Sequence, residues 1–185
     1  MSVLLEYNII ILTLKNEDKK MNNYTPRIYV ACLSSHNNGF THGVWIEDIQ
    51  DIEDIQEEIK EMLSKSKFEC AEEWEIHDYE DFGSIEADKL SLSEICFFAE
   101  AIEEHGELFT ETYPVMGSFE STLSMIENNF LGIYESVVEY VEETTDLSEV
   151  PDYLVNYIDI NRLARDIEYD LLVVELEHEV AIFHN

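Results

Sequence analysis

Glu100, Glu103, Glu104, Glu107 and Glu111 follow one another at spacings of three and four residues. Glu135, Glu139, Glu142 and Glu143 repeat the arrangement and lead into Asp146, Glu149 and Asp152. On a helix such spacings place side chains on one face, so each group reads as a ridge of carboxylates. Carboxylates can do three kinds of chemistry. They can work in pairs as general acid and base, hold a metal with suitable partners, or act together as an array of negative charge.

The first two find little support. Acids occur so widely that no catalytic pair stands out, and the chain has no P-loop, G-x-G-x-x-G, G-x-S-x-G or H-E-x-x-H. Asp48, Asp51 and Asp54 recur every third residue, whereas an EF-hand loop needs alternate positions and a central glycine. His36, His42, Cys70 and His77 match no zinc spacing and read as loop and strand residues. The expectation is a protein that is not an enzyme and needs no metal or cofactor.

The third kind fits the charge. No Lys or Arg lies between Lys89 and Arg162, although opposite charges four residues apart would stabilise a solvated helix. The whole chain has 42 Asp and Glu against 10 Lys and Arg, a net charge of -32. Such a molecule repels nucleic acid and anionic membranes, so neither is expected as a partner, and a basic protein is. Solubility or a salt-rich habitat would be a simpler reason, against which the abundant Ile, Phe and Tyr weigh. B-DNA carries one charge per about 1.7 Å of axis, so 32 charges match roughly 54 Å of duplex, and a dimer would match roughly twice that. The supply suffices for a decoy that occupies a Lys- and Arg-lined DNA groove. The rival readings are an acidic adaptor or chaperone for basic DNA-binding proteins, and a hydrolase using one pair of these acids.

The elements that must carry the acids are legible in part. Arg27–Leu33 and Val44–Glu47 read as antiparallel strands around Asn37-Asn38-Gly39, and Glu73–Tyr79 as a third strand. Between them Asp51–Ser64 has Ile52, Ile55, Ile59, Met62 and Leu63 at helical spacing. Ser91-Leu92-Ser93-Glu94 is a capping box, opening a helix to about Glu104 that stops near Gly106. A short helix over Glu107–Tyr113 ahead of Pro114 follows, then a helix over Ser118–Asn128 with Phe119, Leu123 and Ile126 on one face. Phe130–Tyr134 reads as a connection, Ser136–Glu143 as a helix, Pro151 as a first helical residue, and Asn161–Tyr169 as a helix. Leu171–Leu176 and Val180–His184 suggest a closing hairpin.

The resulting expectation is an α+β fold of three small units, over residues 21–89, 90–132 and 133–185. An apolar fraction of 45% is enough to give them a core. Residues 1–20 are electrically neutral and read as an upstream extension. Glu17-Asp18 can be encoded by a purine-rich ribosome-binding sequence, which would make Met21 the natural start; an extra strand or a flexible extension is the alternative. Val3–Leu14 is too short to span a bilayer and lacks a cleavage pattern. Cys32, Cys70 and Cys96 lie far apart and are odd in number, as expected of reduced thiols in the cytoplasm.

Several ordered segments resemble the ArdA antirestriction proteins. Arg27–Leu33, Asn37-Asn38-Gly39, His42–Ile46 and Glu73–Glu80 are similar to the N-terminal part of that family, and Ala101–Glu107 to its middle. Asp146–Ile160 (DLSEVPDYLVNYIDI), continued by Arg165-Asp166, resembles its antirestriction motif. The resemblance implies an elongated three-part molecule that dimerises through its C-terminal part and imitates bent B-form DNA. It also implies binding to the recognition and methylation core of type I restriction-modification enzymes, and carriage on plasmids and conjugative transposons. Within the motif, Val150, Leu154, Val155, Tyr157 and Ile158 are apolar enough to read as core or dimer interface, with direct contact to the enzyme as the other reading.

Overall fold

The computed structural model describes residues 24–68 and 71–185. The upstream extension, the proposed start at Met21 and Cys70 lie outside the described residues. The fold is α+β, with two small antiparallel sheets and eight α-helices among the described residues. The chain divides into two compact units, up to Thr110 and from Glu111 onward.

The first unit is built on a sheet of order β2-β1-β3, with β1 over Arg27–Cys32, β2 over Gly43–Ile46 and β3 over Trp74–Glu80. Alternation sends Ile28, Val30, Ile46 and Ile76 to one buried face. A short helix α1 (Leu33–Asn37) follows β1, occupying part of what the sequence reads as strand and loop. Helix α2 (Ile52–Ser64) packs on β1 and β2 and buries Ile55, Ile59 and Met62. Its N-cap is Asp51, whose carboxylate accepts the Glu53 N–H at 2.7 Å. After a 3-10 turn (Ala87–Lys89), helix α3 (Leu92–His105) starts from the Ser91–Glu94 capping box that the sequence announces. Its apolar face, with Ile95, Phe98, Ala99 and Ile102, is buried. Gly106 ends it at φ 56°, a left-handed conformation costly for any residue with a Cβ.

Helix α4 (Glu107–Met116) runs on through Pro114 instead of stopping ahead of it. Proline removes a single N–H near the end of this helix, and Gly117 N–H still closes the last turn on the Tyr113 carbonyl at 2.8 Å.

The second unit continues with α5 (Phe119–Asn129), capped by Ser118, and then β4 (Phe130–Tyr134). This strand replaces the connection expected from the sequence. Its signal is weak because it follows α5 with no turn residue between, and because Gly132, at φ 149°, sits within it beside a register shift. Helix α6 (Val137–Thr144), the single turn α7 (Asp152–Val155) and α8 (Ile160–Glu168) lead to the hairpin of β5 (Leu171–Glu175) and β6 (Val180–His184). Pro151 is the N-cap of α7, one residue ahead of the expected position. The sheet order is β4-β6-β5, so the last strand is central, with Ala181, Ile182 and Phe183 fully buried. Cys32 and Cys96 are free thiols, the first buried and the second half-buried.

Thr112 is fully buried, and its hydroxyl has no hydrogen-bond partner among the described residues. A buried hydroxyl without a partner costs desolvation that an isosteric methyl does not. Thr112→Val should therefore raise the unfolding free energy by about 1 kcal/mol in chemical denaturation. A loss of similar size would show that the hydroxyl has a partner after all.

Candidate partner-binding surface

Glu100, Glu103 and Glu104 lie on the exposed face of α3, opposite its buried Ile95, Phe98 and Ile102. Gly106 then breaks the helix, so the five acids do not form one continuous ridge. Glu107 and Glu111 belong to α4, where they are an i,i+4 pair and half-buried. The correction follows from backbone geometry, since spacing carries a face across a sequence only while the helix lasts.

A carboxylate distant in sequence joins the α3 group. Burial, and then the negative fields of Asp48 and Glu100, push the Glu103 carboxyl above the usual range. Asp48 lies between β2 and α2, so two elements of the first unit contribute to one acidic patch. No linear spacing links it to α3. Nearby, burial and Asp51 raise the Cys96 thiol.

In the second unit the acids divide by role. Glu135 precedes the N-cap Ser136, and its N–H donates to the Glu139 carboxylate at 2.6 Å. Ser136 in turn accepts the Glu139 N–H at 3.3 Å, so half-buried Glu139 helps to cap α6. Glu142 and Glu143 are exposed on the same helix. Asp146 accepts the Ser148 N–H at 2.8 Å, and hydrogen bonds from the Ser148 side chain and backbone hold its carboxyl below the usual range. Glu149, in the following loop, and Asp152, the first residue of α7, are exposed.

The apolar motif does not enter the core of the single chain. Val150, Val155 and Ile158 are half-buried, while Leu154 is 42% and Tyr157 84% exposed. Tyr153 and Tyr169, which the sequence reading passes over, are 72% and 86% exposed. The cause is length: α7 is a single turn and buries none of its residues.

His36 and His77 meet edge to face with ring centroids 4.6 Å apart, and His42 Nε2 lies 2.8 Å from the Met62 carbonyl oxygen. Among the described residues no group of three or more His, Cys, Asp or Glu is placed to hold a metal ion. None of the described helices is long and apolar enough to cross a membrane.

The molecule is thus an acidic α+β protein whose described helices and loops expose many carboxylates. The family model for the antirestriction protein ArdA matches residues 28–181. The chain belongs to the ArdA antirestriction family. Comparison with curated proteins finds no match.

The raised carboxyl of Glu103 has a signed consequence. Its folded-state pKa lies above the unfolded value, so ionising it costs stability as pH rises through that interval. Below the unfolded value, at about pH 4, the cost is absent. Glu103→Gln should melt at a higher temperature than the parent at pH 7 and at the same temperature near pH 4. Equal melting of variant and parent at pH 7 would show that neither burial nor the fields of Asp48 and Glu100 raise this carboxyl appreciably.

Proposed function

We propose that this protein blocks restriction by occupying the DNA-binding groove of a type I restriction-modification enzyme, with its carboxylates in the place of DNA phosphates. The observation that carries this reading is the exposed acid on successive elements of a family member. Glu100, Glu103 and Glu104 on α3, Glu142 and Glu143 on α6, Glu149 in the loop and Asp152 on α7 all face solvent. No Lys or Arg interrupts the sequence between Lys89 and Arg162. A groove built for duplex DNA presents fixed cations at phosphate spacing, and a folded array of carboxylates satisfies the same cations without a cleavable or methylatable base. The enzyme's methyltransferase and specificity core would be the part engaged, in the cytoplasm, where incoming DNA is met.

The exposed Tyr153, Leu154 and Tyr157 support a second element of the reading, self-association into a homodimer through residues 150–158. Exposed apolar side chains on and beside a one-turn helix are covered most economically by a second copy.

Competition tests the proposal. The protein should displace duplex DNA from a type I methyltransferase core, and its affinity should fall tenfold or more between about 50 mM and 200 mM salt. Affinity indifferent to salt, or equal binding to unrelated basic proteins, would point away from mimicry. Exposed charges contribute weakly one at a time, so Glu100→Gln or Glu142→Gln alone should leave protection of unmodified DNA nearly intact. Replacing Glu100, Glu103, Glu104, Glu142 and Glu143 together should reduce it progressively. One isosteric change that abolished protection in a folded protein would indicate a catalytic site instead.

A further inference from the structure

From Glu111 onward the chain carries seventeen Asp and Glu and two Lys or Arg, namely Arg162 and Arg165. Two copies of so acidic a unit repel each other as they approach, most strongly at low salt. Any self-association has to offset that repulsion. Both arginines lie on α8, whose other face turns Leu163, Ala164 and Ile167 toward the unit's interior. Tyr169, four residues past Arg165, continues their stripe.

The two guanidiniums are exposed, and neither makes an ion pair with a carboxylate among the described residues. Arg165 Nε donates to the Asn161 carbonyl at 3.2 Å. Several cations of the first unit behave otherwise. Arg27 pairs with Glu80 and Glu47, Lys65 with Glu61, and Lys89 with Glu86, while Lys67 lies over the Phe40 ring and Lys60 makes no ion pair among the described residues. Asp166 stands four residues from Arg162 and is not engaged by it. In a chain with 42 acids, two arginines without an internal carboxylate are available to an acidic surface from outside.

We infer that Arg162 and Arg165 are counter-charges for a second copy of this chain. In a two-fold association through the Tyr153–Tyr157 surface, the arginine stripe of each copy receives exposed carboxylates of the other. Glu149 and Asp152, exposed and adjoining that surface in the chain, are the acids assigned to it. The two-fold axis makes every such contact twice, and guanidinium suits the role because its planar fork grips a carboxylate through two parallel bonds. The inference rests on the self-association proposed above and adds what permits it at this charge.

Sedimentation equilibrium of the full chain at about 50 mM and 500 mM salt tests it, with thermal melting to check folding. The parent should be a dimer at both. Arg162→Gln with Arg165→Gln should weaken association on the order of tenfold or more at low salt and recover most of it at high salt, where screening removes the repulsion the arginines offset. Arg162→Glu with Arg165→Glu should give monomers, and adding Glu149→Arg with Asp152→Arg should restore the dimer. A monomeric parent at micromolar concentration would overturn the self-association reading itself. A dimeric parent whose Gln variant associates equally well at both salts would overturn the arginine assignment alone.

Discussion

Ionised carboxylates repel one another, and folding brings many of them close together. A net charge of -32 on 185 residues opposes any compact state, so each acid needs either a local favourable field or free access to water. Helix N-termini supply the field. Glu53 and Asp54, Glu94, Glu120, Glu139 and Asp152 occupy first turns, and Asp51 and Asp159 are N-caps in their own right. There the unsatisfied N–H groups and the positive end of the dipole favour negative charge. The helix C-termini receive little in return, since their last turns hold almost no basic residues beyond His36, His105 and Arg165.

Water takes the remaining acids. The buried polar side chains among the described residues are Ser35, Thr110, Thr112 and Thr122, and no carboxylate is among them. The cores are therefore almost purely apolar, and they carry the fold against the charge. Glu107, Glu111 and Glu139 are half-buried, and Glu103, though exposed, has its carboxyl raised by partial burial and by Asp48 and Glu100 beside it. Glu100, Glu104, Glu142 and Glu143 stand exposed on capped helices and make no ion pair among the described residues.

What the sequence made legible follows from the same physics. Strands β1 to β3 were readable from their β-rich and alternating runs, and helices α2, α3, α5 and α6 from helical spacing or from the Ser91 and Ser136 capping signals. Strand β4 was not, because Gly132 and the absence of a turn after α5 erase its pattern. The charge array was legible as composition but not as geometry. Spacing alone places Glu107 and Glu111 with Glu100, whereas Gly106 ends the helix between them. It also gives no hint that Asp48 lies close enough to Glu103 to shift it, or that Glu139 serves as a cap.

Acids that look alike in sequence thus fall into separate populations. Glu94, Glu139, Asp51 and Asp159 bind backbone N–H groups, so replacing them changes the helices before it changes any surface. Glu100, Glu104, Glu142, Glu143, Glu149 and Asp152 are exposed, with no such cap bond to define their place. The fold constrains them through their helices and loops rather than through partners. The few cations are divided as well: Arg27, Lys65 and Lys89 close pairs within the first unit, whereas Lys60, Lys67, Arg162 and Arg165 make no ion pair among the described residues. A surface with this division keeps its own architecture independent of what it binds. The groups that cap the helices are satisfied within the chain, and the exposed acids outside the caps contribute little to the fold.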